Sequence, residues 1–157
     1  MKVSLMRKLL LGDICMINNN LKSARENLQM TQKELGYVFG VHETTISGWE
    51  TGKDNIPLSK LVRFCNLYNY SLDFVIGFDR KNKEYNTKIK LDKKIIGSKL
   101  KTIRNKLNLT QQQIADECGI SQTTYSNYEL GINLISTTTL YTICKNHNIS
   151  MDSILRK

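Results

Sequence analysis

Proline is almost missing from this chain: Pro57 is the only one in 157 residues. That excludes polyproline spacers and proline-rich disorder. Histidine occurs twice, as His42 and His147, and the four cysteines (Cys15, Cys65, Cys118 and Cys144) are scattered without a C-x-x-C pair. Neither a zinc site of recognisable ligand spacing nor a disulfide-dense framework can be built from that set. The thiols therefore read as buried structural groups in a reducing, cytoplasmic setting. No apolar run approaches the roughly 20 residues of a membrane span. Leu9-Leu10-Leu11 is cut short by Gly12-Asp13 and no small-residue cleavage site follows, so a secretory leader is not expected. Glycine-rich phosphate loops, nucleophile elbows and metal-ligand spacings are missing too, so neither an enzyme nor a bound cofactor or metal is expected. Acid is also in short supply, with 14 Asp and Glu against 23 Lys and Arg, a net charge of +9. An excess of that size on a small chain points to polyanions, nucleic acid ahead of an anionic membrane surface.

What the chain does have is a repeat. Shifted by 79 residues without a gap, residues 13–76 fall onto 92–155 with 20 of 64 positions identical. Arg25/Arg104, Thr31/Thr110, Gln32/Gln111, Gly40/Gly119, Thr44/Thr123, Glu50/Glu129, Gly52/Gly131 and Asp73/Asp152 are among the pairs. Two copies of one unit of about 65 residues follow, with too few repeats for a solenoid.

Each copy reads as a string of short helices. Ile17, Leu21, Ala24 and Leu28 keep one helix face, as do Ile96, Leu100, Ile103 and Leu107, behind Asp13 and Asp92 as N-caps. Thr31-Gln-Lys-Glu34 and Thr110-Gln-Gln-Gln113 are capping boxes that open second helices over 32–39 and 111–118. Gly40 and Gly119 end them, third helices follow over 43–50 and 122–129, and Gly52 and Gly131 close those. Pro57 suits the first turn of a fourth helix, and Ser71 and Ser150 cap a short fifth. Alternating strand patterns do not occur, so the expected class is all-α. The aromatics Tyr37, Phe39, Phe64, Tyr68, Tyr70 and Phe74 recur at helical spacing and read as core.

The run from Thr31 to Gly52, T-Q-x-E-L…G-V-x-x-T-T-I-S-x-W-E-x-G, resembles the Cro/CI-type, XRE-like helix-turn-helix of phage repressors, and the run from Thr110 to Gly131 resembles it equally well. The resemblance implies two tandem five-helix domains of lambda-repressor-like fold, over 13–77 and 92–157, with an extension over 1–12 and a basic linker over 78–91. It implies that the third helix reads bases in the major groove. The base-facing places fall on His42, Glu43, Thr44, Thr45, Ser47 and Gly48 in the first copy, and on Ser121, Gln122, Thr123, Thr124, Ser126 and Asn127 in the second. The glutamine opening helix two, Gln32 or Gln111, is expected at a phosphate, as are Lys33, Lys88, Lys90, Lys93 and Lys94. Arg25 with Glu50 and Arg104 with Glu129 match a family ion pair and are expected to be structural. Gln122 and Asn127 can bond adenine bidentately, whereas Glu43 repels phosphate and Gly48 has no side chain, so the second copy is expected to read more.

The expected function is a sequence-specific transcriptional regulator of double-stranded DNA, a repressor, acting as a covalent pseudo-dimer on an asymmetric operator. The 15-residue connection from 77 to 91, extended, spans roughly 50 Å, enough for both copies to reach one site. The alternative is a protein-binding inhibitor or adaptor with the first copy facing its partner. Leu5, Met6, Leu9, Leu10 and Ile14 allow an apolar N-terminal helix and a homodimer through it, and a protein antagonist fits the lack of a sensing domain. The charge is uneven: residues 1–12 carry +3, 13–77 carry −1, 78–91 carry +3 and 92–157 carry +4. Within that, residues 78–106 alone hold +8.

Overall fold

The computed structural model describes residues 17–156, and among these it is all helical, with ten helices and no strand. The expected extension over 1–12, its apolar helix and the Asp13 cap lie outside the described residues. In the first repeat the helices are α1 (Leu21–Asn27), α2 (Gln32–Phe39), α3 (Glu43–Thr51), α4 (Leu58–Tyr68) and α5 (Leu72–Val75). In the second they are α6 (Lys93–Lys106), α7 (Gln111–Glu117), α8 (Gln122–Glu129), α9 (Thr137–His147) and α10 (Met151–Leu155).

Most boundaries follow from the capping chemistry. Thr31 and Thr110 close full capping boxes with Glu34 and Gln113, and Asp92, Ser71 and Ser150 accept from first-turn N–H groups. Gly40 and Gly119 sit at φ 65° with open space around them, so the left-handed backbone alone selects glycine there. Pro57 stands one place earlier than expected, as the N-cap of α4.

The first helix departs from expectation. A face running from Ile17 to Leu28 predicted one helix, yet residues 17–20 are not helical and α1 has 7 residues against 14 in α6. Asparagines 18–20 are the reason, because their short amides bond backbone better than they tolerate a helix. Asn19 Nδ2 donates to the Ile17 and Trp49 carbonyls and its Oδ1 accepts from Leu21 N–H, while Asn20 Nδ2 donates to Phe74 O. Ile17 is buried all the same. In the second repeat the longer helix crosses α8 closely: a Cβ on Gly97 would overlap the carbonyl oxygens of Tyr128 and Glu129. Gly97→Ala is therefore expected to lower stability by about 1–3 kcal/mol despite alanine's better helix propensity. Thermal unfolding checks it, and an unchanged midpoint would contradict it.

The core is aliphatic and aromatic, centred on Leu21, Leu35, Ile46, Leu61 and Phe64 in repeat one and on Leu100, Ile114, Tyr125, Leu140 and Ile143 in repeat two. Tyr37 breaks the expected aromatic pattern: it is 77% exposed on the outer face of α2.

The repeats meet through α5 and α10. Asp73 and Asp152, equivalent under the 79-residue shift, touch: Asp73 N–H donates to Asp152 Oδ2 at 2.9 Å, and Asp73 Oδ1 accepts from Met151 N–H at 2.7 Å. The Ser150 hydroxyl donates to the other Asp73 oxygen. Each carboxylate thus caps the first turn of the other repeat's short helix, so equivalent positions of the two repeats meet at the junction. Thr137 Oγ1 donates to Ile56 O at 2.7 Å nearby. Burial raises the Asp73 pKa, assisted by Asp152 and opposed by the hydrogen bonds from Ser150, Met151 and Asp152. Arg156 supplies the cation: its Nε donates to Asp152 Oδ1 at 2.7 Å, its Nη1 to Thr87 O at 2.7 Å, and its guanidinium lies 3.8 Å over the Tyr85 ring.

The connection is folded against the body rather than extended. The Asn66 amide bonds both N–H and C=O of buried Ile89. Asn82 accepts from Ser71 N–H and donates to Asn69 O, and Phe78 stacks on Tyr141 with centroids 5.0 Å apart. Side-chain amides every few residues satisfy a backbone that extension would have left to water.

Candidate nucleic-acid interface

The helix-turn-helix of each repeat is tied together by one buried acid. In repeat one Arg25 Nε donates to Glu50 Oε1 at 2.6 Å and its Nη2 to Oε2 at 3.1 Å. Gln32 Nε2 adds a third bond to Glu50 Oε2 at 2.9 Å, and Arg25 Nη1 reaches Met30 O. Repeat two reproduces this with Arg104, Glu129, Gln111 and Leu109 O at 2.6, 3.1, 2.8 and 3.0 Å. A bidentate pair with a third donor fixes helix one, the start of helix two and the end of helix three against each other. Burial works to raise the Glu129 pKa, but the bonds from Arg104 and Gln111 and the Arg104 charge outweigh it and hold the carboxyl below its ordinary range.

The glutamines expected at phosphate are thus held at the glutamates, with Nε2 retaining a second N–H. In repeat two the set extends outward. Gln122 Nε2 donates to Gln111 Oε1 at 2.8 Å, joining the first residue of α8 to the first of α7. Gln122 is exposed, its amide oriented by a partner that is itself anchored to Glu129.

On the third helices, Ile46 and Tyr125 face the core, and Thr44 and Thr123 are exposed. Thr45, Ser47, Thr124 and Ser126 are half-buried. His42 and Ser121 are N-caps: His42 Nδ1 accepts from Thr44 N–H at 3.3 Å, and Ser121 Oγ accepts from Thr124 N–H at 3.1 Å and lies 2.8 Å from its hydroxyl. Capping occupies one ring nitrogen of His42 and leaves the other edge open. Glu43 and Gln122, equivalent residues, are both exposed at the first helical position.

Sequence reasoning missed Asp54. Gly48 is buried, and a Cβ there would overlap the Asp54 carboxylate, which lies on the helix where Asn127 of repeat two carries a half-buried amide. The counterpart of Asp54 is Asn133, whose N–H donates to Asn127 O. Three positions at the candidate reading surface therefore run Glu43, Gly48, Asp54 in one repeat and Gln122, Asn127, Asn133 in the other. One surface is anionic and the other is made of amides. The signal was in the repeat alignment, but 54 lies past the third helix and attracts no attention until the loop folds back. Arg156 was missed because its counterpart under the 79-residue shift is Gly77, so the repeat gives it no matching side chain.

Lys33, Lys88, Lys90, Lys93 and Lys94 are exposed, and Lys93 Nζ donates to Ile132 O in the loop after α8. Leu130 and Ile132 are exposed beside it. Cys65 and Cys144 are buried, and burial drives the Cys144 thiol up to about 12. Among the described residues no cluster of three metal-ligating side chains occurs, and no helix is long and apolar enough to cross a membrane.

Comparison with known proteins agrees with this geometry. The Helix-turn-helix family model matches residues 21–75 and again 100–154. The transcriptional regulator ImmR of Bacillus subtilis is 30% identical over 71 residues, 45% of this chain and 56% of its own length. Antitoxin PezA of Streptococcus pneumoniae is 36% identical over 65 residues, 41% of either chain. A 78-residue stretch, 49% of this chain, is 35% identical to 7% of a glutamine–fructose-6-phosphate aminotransferase of Methanocaldococcus jannaschii. Each match thus spans little more than half of the relative, or less. With the family matched over most of the described residues, and twice, the chain belongs to the XRE-like helix-turn-helix family.

Proposed function

We propose that the chain is a sequence-specific, double-stranded DNA-binding transcriptional repressor of the cytoplasm. It works as a covalent pseudo-dimer of domains 13–77 and 92–157 joined by 78–91, with the second domain as the stronger base reader. The observation that carries this reading is the junction, in which equivalent residues Asp73 and Asp152 cap each other's helices. A site of two half-sites about 34 Å apart requires two reading helices held in a fixed relation, and a junction between equivalent residues of the two repeats supports one. The likeness to a named transcriptional regulator supports the same role.

The amide surface of repeat two supports the asymmetry. Gln122→Ala and Asn127→Ala are each expected to lose about 1–3 kcal/mol of discrimination at one base pair. Glu43→Ala and Thr44→Ala are expected to change it by less than about 0.5 kcal/mol. Competition binding with singly substituted operators measures both, and equal effects from the two repeats would contradict the asymmetry.

The reading as a DNA binder is tested by titrating random duplex across a salt series. The exposed lysines of 88–94 and the helix-turn-helix faces are expected to release several counterions, each contributing about −0.9 to the slope of log K against log salt. No binding at low salt would overturn it. In that event the second reading stands, a protein-binding adaptor facing its partner through repeat one. Asp54 over Gly48, together with Tyr37 exposed on α2, is the observation that favours it.

A further inference from the structure

Repeat two carries a groove that repeat one lacks. About 450 Å³ in volume, it runs between α6 and α10 over a floor of Ile103, Leu107, Ile149 and Ile154, with Lys99 and Lys106 at its rim. In repeat one the same place is filled from within. Tyr70 and Phe74, the counterparts of Ile149 and Ser153, are buried and stack 5.7 Å apart, and the Tyr70 hydroxyl donates to the carbonyl of Ala24, the counterpart of Ile103. The groove is thus a consequence of three substitutions on one fold.

We propose that this groove docks the apolar face of an acidic amphipathic helix from a partner protein. Shape argues for a helix: the wall follows α6 from 98 to 107, roughly 14 Å at 1.5 Å per residue, and it is a channel between two helices with an apolar floor. Charge argues for acid. Helix α6 carries six cationic residues and no anionic one, and among the described residues only Arg104 of the six meets a carboxylate. Lys99 Nζ bonds the carbonyls of Ser153, Ile154 and Arg156 at the end of α10, and among the described residues no carboxylate lines the groove. At 100° per residue, Thr102 and Lys106 stand opposite Gly97 and Arg104, which face the reading helix α8, so docking leaves that helix uncovered. The inference holds whether or not the chain reads DNA.

The test is a nitrogen-15 NMR titration of the full chain with a capped 14-residue peptide, leucines on one helical face and glutamates elsewhere. Saturable shifts are expected at 98–107 and 149–154, and none at the counterparts 19–28 and 70–75. A version with glutamines for glutamates is expected to bind about fivefold more weakly. Filling the groove as in repeat one, with Ile149→Tyr and Ser153→Phe together, is expected to weaken binding at least about tenfold. Lys106→Glu, at an exposed position in the last turn of α6, is expected to weaken it about threefold. Shifts confined to the basic connection or to the reading helices would overturn the proposal, as would equal binding of the glutamine peptide or no saturable binding at millimolar peptide.

Discussion

Glu129→Ala is expected to remove about 3–5 kcal/mol of folding stability, a large share of what a small protein has. The Glu129 side chain is 2% exposed and receives Arg104 twice and Gln111 once. Truncation leaves a guanidinium at 13% exposure with only the Leu109 carbonyl. It also frees Gln111, and with it the partner that orients Gln122. Urea unfolding reads the loss directly, and a change under about 1 kcal/mol would show that the pair is not holding the motif together. The pH dependence follows from the same bonds. Because the folded Glu129 pKa lies below its ordinary 4.5, its contribution is complete above that value and fades as pH falls through the depressed one. Asp73 runs the other way: its pKa is raised above the ordinary 3.8, so its contribution declines as pH rises through the raised value. Glu129→Gln is expected to flatten the acid side of the stability profile, and Asp73→Asn to remove the opposing slope.

Arg156→Ala is expected to loosen the relation between the two repeats more than it damages either one. The Asp152 side chain is 2% exposed and would be left beside Asp73 without its cation, a cost of about 3 kcal/mol at the junction. The strap through Thr87 and the stack on Tyr85 go with it. On duplexes whose half-sites are moved apart one base pair at a time, each step shifts the second site by about 3.4 Å and turns it by about 35°. The wild-type chain is expected to prefer one spacing at least about tenfold, whereas the variant keeps to within about threefold, because the covalent connection still holds the second repeat at high effective concentration. A variant as selective for spacing as the parent would show that Arg156 does not set the geometry.

The sequence carried the fold wherever local chemistry decides it. Capping boxes at Thr31 and Thr110, glycines at 40, 52, 119 and 131, and the repeated Arg–Glu pairs are short-range signals, and the helices open and close where those residues stand. It failed where a side chain has two uses. Asparagines 18–20 interrupt a face whose apolar spacing alone predicts a longer helix, and Tyr37 shares the spacing of core aromatics yet points to solvent. The positions proposed to read bases were placed by register, since the third helix follows its cap by rule. Their inequality was only half legible: Glu43 and Gly48 were visible, but Asp54 reaches the surface through a loop. The junction was the least legible, because Asp73 and Asp152 look like ordinary first-turn acids until two distant helices meet.

The most direct test of the two-reader account is selection of bound sequences from a random DNA pool by the full chain. Enrichment of a two-part site is predicted, its halves about one helical turn apart and unequal in information, with the stronger half weakened by Gln122→Ala. No enrichment, or a single half-site recovered without a spaced partner, would contradict it.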